Sequence, residues 1–271
     1  MIIGKHEFDT KYHTHIMGIL NVTPDSFSDG GTYNRIDKAL YRVEEMIKEG
    51  MDILDIGGES TRPGYEKISI EEEMERVVPV IEAVKGRFDV PVSLDTYKSE
   101  VAFAGIQAGA DMINDIWGLM YDDNMAKVIA DSDVACCLMH NRKEAVYEEF
   151  LKDVIGDLQQ SLNKANQAGI QKDKIMLDPG VGFGKSYEHN IEVLHGIREL
   201  KACGCPILLG ASRKSVIGLT LNLPVSERLN GTLAISAYGV MQGCSFLRVH
   251  DIKENKEVVK MMETILKYGT E

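Results

Sequence analysis

Eight short apolar segments, each ending in a polar or charged residue, constrain most strongly what this chain can fold into. The first covers residues 17–20 and stops at Asn21, where a segment rich in Gly, Ser and Asp begins. Seven more have the same form, at residues 53–59, 92–96, 112–115, 134–140, 175–178, 207–213 and 246–251. Segments with helical spacing of apolar residues lie between them, for example at 39–50, 70–86 and 150–169. Strand and helix are therefore predicted to alternate.

Eight strand–helix units in 271 residues fit a (β/α)8 TIM barrel of ordinary size, an α/β fold. Parallel strands covered by helices are buried on both faces and are almost continuously apolar, as residues 16–20 and 207–209 are. The alternative, an open doubly wound sheet, is disfavoured by the number of repeats. We predict a single domain over residues 1–271, in which the first nine residues form a short hairpin that closes the lower mouth of the barrel.

Composition and charge limit the classes of partner. The chain is 44% hydrophobic and 27% charged, and no apolar run approaches the roughly 18 residues that a membrane span requires. We therefore expect no membrane partner. A net charge of −12 argues against nucleic acid, because binding to a phosphate backbone needs a basic surface. The N-terminus lacks the basic start and apolar core of a signal peptide.

The cysteines point to a reducing compartment. There are five, at positions 136, 137, 203, 205 and 244, without a paired C-x-x-C unit. This odd number is typical of reduced thiols in the cytoplasm and argues against a zinc site. Cys136 and Cys137 are adjacent in a predicted strand, so their side chains should point to opposite faces.

Charged residues of both signs occur at the predicted strand ends, which share one face in a TIM barrel. The basic ones are Arg62, Lys185, Arg213, Lys214, Arg248 and His250, and the acidic ones are Asp55, Glu59, Asp95, Asp115 and Asp178, with Asn114 beside them. A buried carboxylate is costly unless it is paired or hydrogen-bonded, so we expect Asp55 and Asp115 to be structural. Asp95 and Asp178 are each followed by a turn and are better placed to accept hydrogen bonds from a ligand ring.

Residues 180–186, Gly-Val-Gly-Phe-Gly-Lys-Ser, look like a nucleotide-triphosphate loop. The spacing of that motif requires glycine at position 179, where this chain has Pro179, and the dinucleotide fingerprint G-x-G-x-x-G is missing as well. The glycines instead let the backbone approach a flat ligand closely just after Asp178.

Seven motifs occur in the order in which one known family has them. They are MGILNVTPDSFSDGG at 17–31, DIGGESTRPG at 55–64, SLDT at 93–96, IND at 113–115, LDPGVGFGK at 177–185, SRKS at 212–215 and RVHD at 248–251. On these motifs the chain resembles the dihydropteroate synthases from end to end. The resemblance implies a reaction that couples 7,8-dihydropterin-6-methyl diphosphate to 4-aminobenzoate, which gives 7,8-dihydropteroate and diphosphate.

The resemblance also implies roles for residues that occupy the family's motifs. The implied pterin pocket consists of Asp95, Asn114, Ile116, Met139, Asp178, Lys214 and Arg248. The implied diphosphate site consists of Asn21, Thr61, Arg248 and His250, with Asn21 as the ligand of Mg²⁺. The implied 4-aminobenzoate pocket consists of Phe27, Thr61, Arg62, Pro63, Phe183, Lys214 and Ser215. The implied catalytic residues are Asp95, Lys214, Arg248 and His250. One departure, Asn141 after His140 where many relatives have glycine, bears only on the shape of the loop that follows.

The chemistry favours an SN1-like path, because the 4-aminobenzoate amine is a weak nucleophile that gains by meeting a preformed cation. The loops at 22–33 and 62–69 are predicted to close over the site. A homodimer is implied by the resemblance. Two alternatives stay open: a pterin-dependent methyltransferase that works with a corrinoid partner, which needs no diphosphate site, and a catalytically silent barrel that binds pterin.

Overall fold

A computed structural model describes residues 1–22, 32–59 and 67–268, without the side chains of residues 32–35 and 268. The strands are β1 Ile2–Ile3, β2 His6–Glu7, β3 His15–Asn21, β4 Ile53–Gly57, β5 Val92–Asp95, β6 Met112–Asp115, β7 Ala135–Met139, β8 Ile175–Asp178, β9 Leu208–Leu209 and β10 Phe246–Val249. The helices are α1 Thr32–Lys48, α2 Ile70–Arg87, α3 Ser99–Gln107, α4 Met125–Ser132, α5 Phe150–Ala168, α6 Tyr187–His195, α7 Ser215–Leu221, α8 Leu229–Gln242 and α9 Ile252–Tyr268. Short 3-10 helices lie at Lys172–Lys174, Ile197–Cys203 and Val225–Glu227.

Strands β3 to β10 form one nearly closed parallel barrel. Neighbours pair in the order β8-β7-β6-β5-β4-β3-β10-β9. The two edges meet where Leu177 of β8 pairs with Ile207, just before β9, and donates its N–H to the Pro206 carbonyl at 2.9 Å. Helices flank this sheet and alternate with its strands. The predicted (β/α)8 fold is confirmed, and the open doubly wound sheet is excluded.

The N-terminal hairpin lies at the lower mouth of the barrel. β1 and β2 pair antiparallel, with Ile3 opposite His6. Ile3 and Phe8 are buried in the same cluster as Met17 and Phe246, and the rings of Phe8 and Phe246 are 5.9 Å apart. The hairpin thus supplies apolar side chains that fill the bottom of the barrel, as the sequence predicts.

Side chains alternate between the barrel interior and the layer under the helices. Met17, Ile53 and Cys137 belong to the inner cluster, whereas Cys136 packs in the large outer one. The predicted opposite orientation of the two cysteines is confirmed, and all five cysteines are buried and unpaired. The same alternation, continued toward the carboxyl ends, places on the inner face Asn21, Asp55, Asp95, Asn114, Met139, Asp178 and Arg248.

Two element bounds differ clearly from the sequence-based expectation. α1 begins at Thr32 and not at residue 39. The sequence pattern misses its first turns because they are polar and carry little apolar periodicity. β9 ends at Leu209, since Gly210 follows and the chain turns at Arg213, whose φ is +57°. Within the described residues no helix is long and apolar enough to cross a membrane.

Candidate active site

Arg248 of β10 binds two carboxylates at the carboxyl end of the barrel. Its Nε donates to Asp55 Oδ2 and its Nη2 to Asp95 Oδ2, each at 2.6 Å. Oδ1 of both carboxylates is buried and meets no partner among the described residues. Burial raises the pKa of Asp95 to about 7, although Arg248 opposes this shift. Because an unsatisfied buried acceptor costs free energy, these oxygens are suited to hydrogen bonds from a ligand.

Asp178 ends β8 beside an open space. Its Oδ1 accepts from the Gly180 N–H at 2.7 Å. Its Oδ2 lies 3.1 Å from the point where a side chain on Gly210 would begin, so glycine at 210 keeps this side of the carboxylate clear. Burial raises the pKa of Asp178, and the nearby Lys214 ammonium opposes the shift. Asp178 thus presents one buried acceptor to the upper end of the barrel.

Lys214 reaches the site through a strained turn. The left-handed φ of Arg213, rare outside glycine, directs the chain back toward the barrel just before Lys214. Lys214 Nζ donates to the Val181 carbonyl at 2.5 Å and lies 4.8 Å from the centre of the Phe183 ring. Burial lowers its pKa to about 8, with Asp178 opposing. An ammonium donor near a carboxylate acceptor matches a heterocycle whose edge carries both hydrogen-bond acceptors and donors.

Apolar side chains form the wall beside these polar groups. Tyr97, Ile116 and Met139 are buried together, and Trp117 and Phe183 pack against them. The sequence-based set includes Ile116, Met139 and Phe183 but misses the other two. Tyr97 and Trp117 could have been found from their positions, since each lies two residues after a strand-end aspartate.

His250 and Ser212 lie together at the end of β10. The hydroxyl of Ser212 lies 3.0 Å from His250 Nδ1 and also accepts from the His250 backbone N–H at 3.3 Å. These two contacts orient the imidazole ring of His250 relative to Ser212. An N–H of the imidazole is suited to donate to an anion, and Ser212 is a site residue that sequence reasoning missed.

Within the described residues, the available ligands fit Mg²⁺ as an ion shared with a bound phosphate. The described residues contain no group of three or more His, Cys, Asp or Glu side chains suited to a metal. Asn21 Oδ1 and Asp95 Oδ2 lie 3.6 and 3.8 Å from the point where a side chain on Gly57 would begin, so glycine there leaves room between strand ends. Mg²⁺ often takes one or two protein oxygens together with phosphate oxygens and water. Asn21 could supply such an oxygen.

Ser215 and Asn114 lie next to polar groups at the end of the barrel. Ser215 is exposed at the first position of α7, directly after Lys214. Asn114 Nδ2 lies 3.4 Å from Asp55 Oδ2, inside the barrel. The predicted positions Phe27, Thr61, Arg62 and Pro63 lie outside the described residues.

Some strand-end charges have structural partners. Asp115 accepts from the N–H groups of Trp117 and Leu119 at 2.8 and 2.6 Å, which agrees with the structural role predicted for it. Arg213 donates through two nitrogens to both oxygens of Asp251. Asp55, also predicted to be structural, accepts a hydrogen bond from Arg248 in the structure, so it belongs to the site as well.

Comparison with known proteins adds independent findings. The model of the family of pterin binding enzymes matches residues 17–250. A dihydropteroate synthase of Clostridium beijerinckii is 55% identical over 268 residues, which cover 98% of this chain and 100% of that protein. One of Bacillus subtilis is 49% identical over 259 residues, covering 96% and 91%.

Similar solved structures are also dihydropteroate synthases. The crystal structure of a Clostridium difficile dihydropteroate synthase in the presence of pteroic acid is similar with a TM-score of 0.93 at 48% identity, covering 96% of this chain and 99% of that one. A Yersinia pestis dihydropteroate synthase in complex with a sulfonamide drug has a TM-score of 0.91 at 40% identity, covering 99% of both chains.

Proposed function

The chain belongs to the pterin-binding enzymes and, among them, to the dihydropteroate synthases, and from this premise we propose that it couples 7,8-dihydropterin-6-methyl diphosphate to 4-aminobenzoate in folate biosynthesis. The observation that carries the proposal is the arrangement of Arg248, Asp95, Asp178 and Lys214 at one end of the barrel, next to an apolar wall. The relatives favour the synthase over a methyltransferase or a silent barrel.

The protein would recognise the pterin ring by hydrogen bonds to its amino-pyrimidinone edge. Asp178 Oδ2 would accept from the ring N3–H and the 2-amino group, while Lys214 would donate to the 4-oxo oxygen. The buried Oδ1 of Asp95 would accept from another ring N–H. Met139 and Ile116 would cover one face of the ring, and the Arg248 guanidinium, held flat by its two carboxylates, would stack near the other.

Diphosphate would leave by ionisation of the C–O bond. The bonding electron pair departs with the diphosphate, and the methylene carbon becomes a cation conjugated with the pterin. His250 would donate to the leaving oxygens and Arg248 would offset their charge, at roughly 1.5–3 kcal/mol for each charged hydrogen bond. The buried carboxylates of Asp55 and Asp95 would favour the cation.

A bound Mg²⁺ would supply further positive charge to the diphosphate, and Asn21 is the residue that would hold it. The amine lone pair of 4-aminobenzoate would then form the new C–N bond, after which the nitrogen loses one proton. The product is 7,8-dihydropteroate.

The direct test mixes purified protein with Mg²⁺, the pterin diphosphate and 4-aminobenzoate. We expect dihydropteroate and an equal amount of diphosphate, and we expect no dihydropteroate when 4-aminobenzoate is omitted. Folded protein that forms no product would contradict the proposed function.

Pterin affinity should fall as the pH rises past about 8. Burial lowers the folded-state pKa of Lys214 to about 8, so the ammonium that donates to the 4-oxo oxygen is lost above this pH. Titration calorimetry at a series of pH values measures the effect. Lys214→Met should bind weakly at every pH, and any decline that persists in this variant belongs to the ligand's own ionisation. An affinity of the wild type that stays constant to pH 10 would contradict the role of Lys214.

Replacing Ser215 should separate the two substrates. Ser215 is exposed beside Lys214, so Ser215→Tyr should obstruct 4-aminobenzoate and raise its KM about tenfold, with pterin affinity unchanged. Thr264→Tyr, at an exposed hydroxyl residue of α9, is the control and should leave both constants unchanged. Equal losses for the two substrates in Ser215→Tyr would mean that Ser215 supports the pterin pocket through Lys214.

The homodimer and the cytoplasmic location are parts of the same proposal. Large apolar side chains are exposed on α6, α7 and the 3-10 helix after it, namely Tyr187, Ile191, Leu219, Leu221 and Val225. Several exposed apolar side chains on neighbouring elements are typical of protein contacts. Sedimentation equilibrium measures the molar mass in solution and so shows whether the homodimer forms. The five unpaired thiols suit a reducing cytoplasm.

A further inference from the structure

The glycine-rich segment 180–184 carries Phe183 and is held largely by side chains that bind its backbone. Gly180, Gly182 and Gly184 have φ values of +70°, +86° and +55°, which glycine adopts without strain, and one hydrogen bond lies within the segment, from the Phe183 N–H to the Gly180 carbonyl at 3.1 Å. The bound atoms and their partners are Val181 O with Lys214, Gly182 N with Asn190, Phe183 O with Lys185 and Gly184 O with Tyr147.

Lys185 joins this segment to α5 through a buried histidine. Its Nζ lies 3.1 Å from the Phe183 carbonyl oxygen and 2.7 Å from His140 Nδ1. The His140 side chain is 0% exposed, and its Nε2 lies 3.1 Å from Asp157 Oδ2 on α5. Arg142 Nε donates to the same carboxylate oxygen at 2.6 Å. The chain of contacts thus runs from the segment to helix α5.

The charges set the direction of these hydrogen bonds. Burial opposes ionisation of Asp157, but hydrogen bonds from His140 and Arg142 prevail and lower its pKa to about 2, so this group accepts. Burial lowers the pKa of His140, which is therefore neutral at pH 7 and carries one ring N–H. That N–H lies on Nε2, toward Asp157, and Nδ1 accepts from Lys185. Because an amine and an ammonium both have N–H groups, Lys185 donates in either state.

The positions of Asp178 and Phe183 depend to different degrees on the contacts made by His140 and Lys185. His140 donates its backbone N–H to the Asp178 carbonyl at 2.9 Å, but Asp178 also lies in β8, paired to β7. Phe183 lies outside any strand, and Lys185 binds its carbonyl directly. Loss of Lys185 should therefore displace the Phe183 ring more than the Asp178 carboxylate.

We propose that Lys185 is a positioning residue for 4-aminobenzoate, which acts with His140 to fix the ring of Phe183 against which the second substrate lies. The inference rests on the proposed function and extends it, because it assigns a role to a lysine that lies outside the predicted substrate pockets. The Phe183 ring lies 4.8 Å from Lys214 Nζ, which places it where the two proposed pockets adjoin.

The test compares Lys185→Met with Lys174→Met. Lys174 precedes β8 at the opposite end of the barrel and also donates to a backbone carbonyl, that of Asp133, at 2.6 Å. We expect Lys185→Met to raise the KM for 4-aminobenzoate about tenfold and to change pterin diphosphate affinity less than about twofold. Lys174→Met should change neither. Quenching of Trp117, the single tryptophan, reports pterin binding, because it packs beside Met139.

Equal losses for both substrates would overturn the proposal, and so would a lower unfolding temperature with both constants unchanged. A folded wild type that forms no dihydropteroate would contradict the proposed function itself, which keeps the two failures distinct.

A pair of variants at His140 tests the same link with Lys185 in place, including the case in which Lys185→Met fails to fold. His140→Asn keeps an acceptor close to the position of Nδ1, whereas His140→Leu removes it. We expect the asparagine variant to keep a nearly wild-type KM for 4-aminobenzoate and the leucine variant to show the rise expected for Lys185→Met. Equal KM values in the two variants would contradict the proposal.

Discussion

Asp178→Asn is expected to weaken pterin binding by roughly 10⁴-fold, because a site built to accept from ligand N–H groups would then present a donor. Asp178 Oδ1 already holds the Gly180 N–H at 2.7 Å, so the amide would turn its NH₂ toward the space beside Gly210. Burial raises the pKa of Asp178, and loss of the charge removes a desolvation cost, so the barrel should stay folded. Calorimetry with the pterin diphosphate measures the loss.

Asp115→Asn is the matched control, since Asp115 also ends a buried strand. Its oxygens accept from Trp117 and Leu119, so the amide would face N–H groups and cost about 1–3 kcal/mol of unfolding free energy. We expect this variant to retain pterin binding. Nearly normal affinity in Asp178→Asn would remove Asp178 from the pterin site. Equal binding losses in the two variants would mean that any change at these strand ends disturbs the pocket.

The barrel and most polar positions of the site could be predicted because both follow from local patterns. Apolar runs that stop at a polar residue mark the strands, and strand alternation then places Asp55, Asp95 and Asp178 on the inner face at one end. The family resemblance added chemical roles to positions that this periodicity had already selected. The N-terminal hairpin could be predicted for a similar reason. Ile3 and Phe8 are apolar residues in a short segment, and they become buried only if that segment packs against the barrel.

Contacts across the barrel could not be predicted from local pattern. Arg248 lies 193 residues from Asp55 and 153 from Asp95, and their pairing depends on which strands meet when the sheet closes. The contact of Ser212 with His250, 38 residues apart, has the same origin. The periodicity of the sequence does not show which partners a basic side chain at a strand end will have. Lys185 and Arg213 therefore fall in one predicted set although their partners differ.

Arg248→Met is expected to lower the free energy of unfolding by about 3–5 kcal/mol at neutral pH, because it leaves buried charge without a partner. Arg248 is the shared countercharge of Asp55 and Asp95, whose side chains are 0% and 7% exposed. Their second oxygens already meet no partner within the described part of the chain. Urea unfolding of variant and wild type measures the loss. Arg213→Met is the control, because its pair with Asp251 is 31% and 17% exposed and should contribute about 1 kcal/mol or less.

The pH dependence of this loss identifies its cause. Burial raises the pKa of Asp95, and removal of Arg248, which opposes that shift, should raise it further. A carboxyl group whose folded-state pKa exceeds its unfolded value destabilises the protein as the pH rises between the two values, and the penalty is absent below the unfolded pKa, near 4. Because the folded-state pKa of Asp95 is already about 7 in the wild type, both folded proteins hold this group protonated below pH 7, and it adds nothing to the gap there. The gap between Arg248→Met and the wild type should therefore widen as the pH rises above 7. Arg248→Met combined with Asp55→Asn should recover part of the loss at pH 7, since one buried charge is gone. A gap that is independent of pH would mean that Arg248 stabilises the barrel by packing and not by its charge.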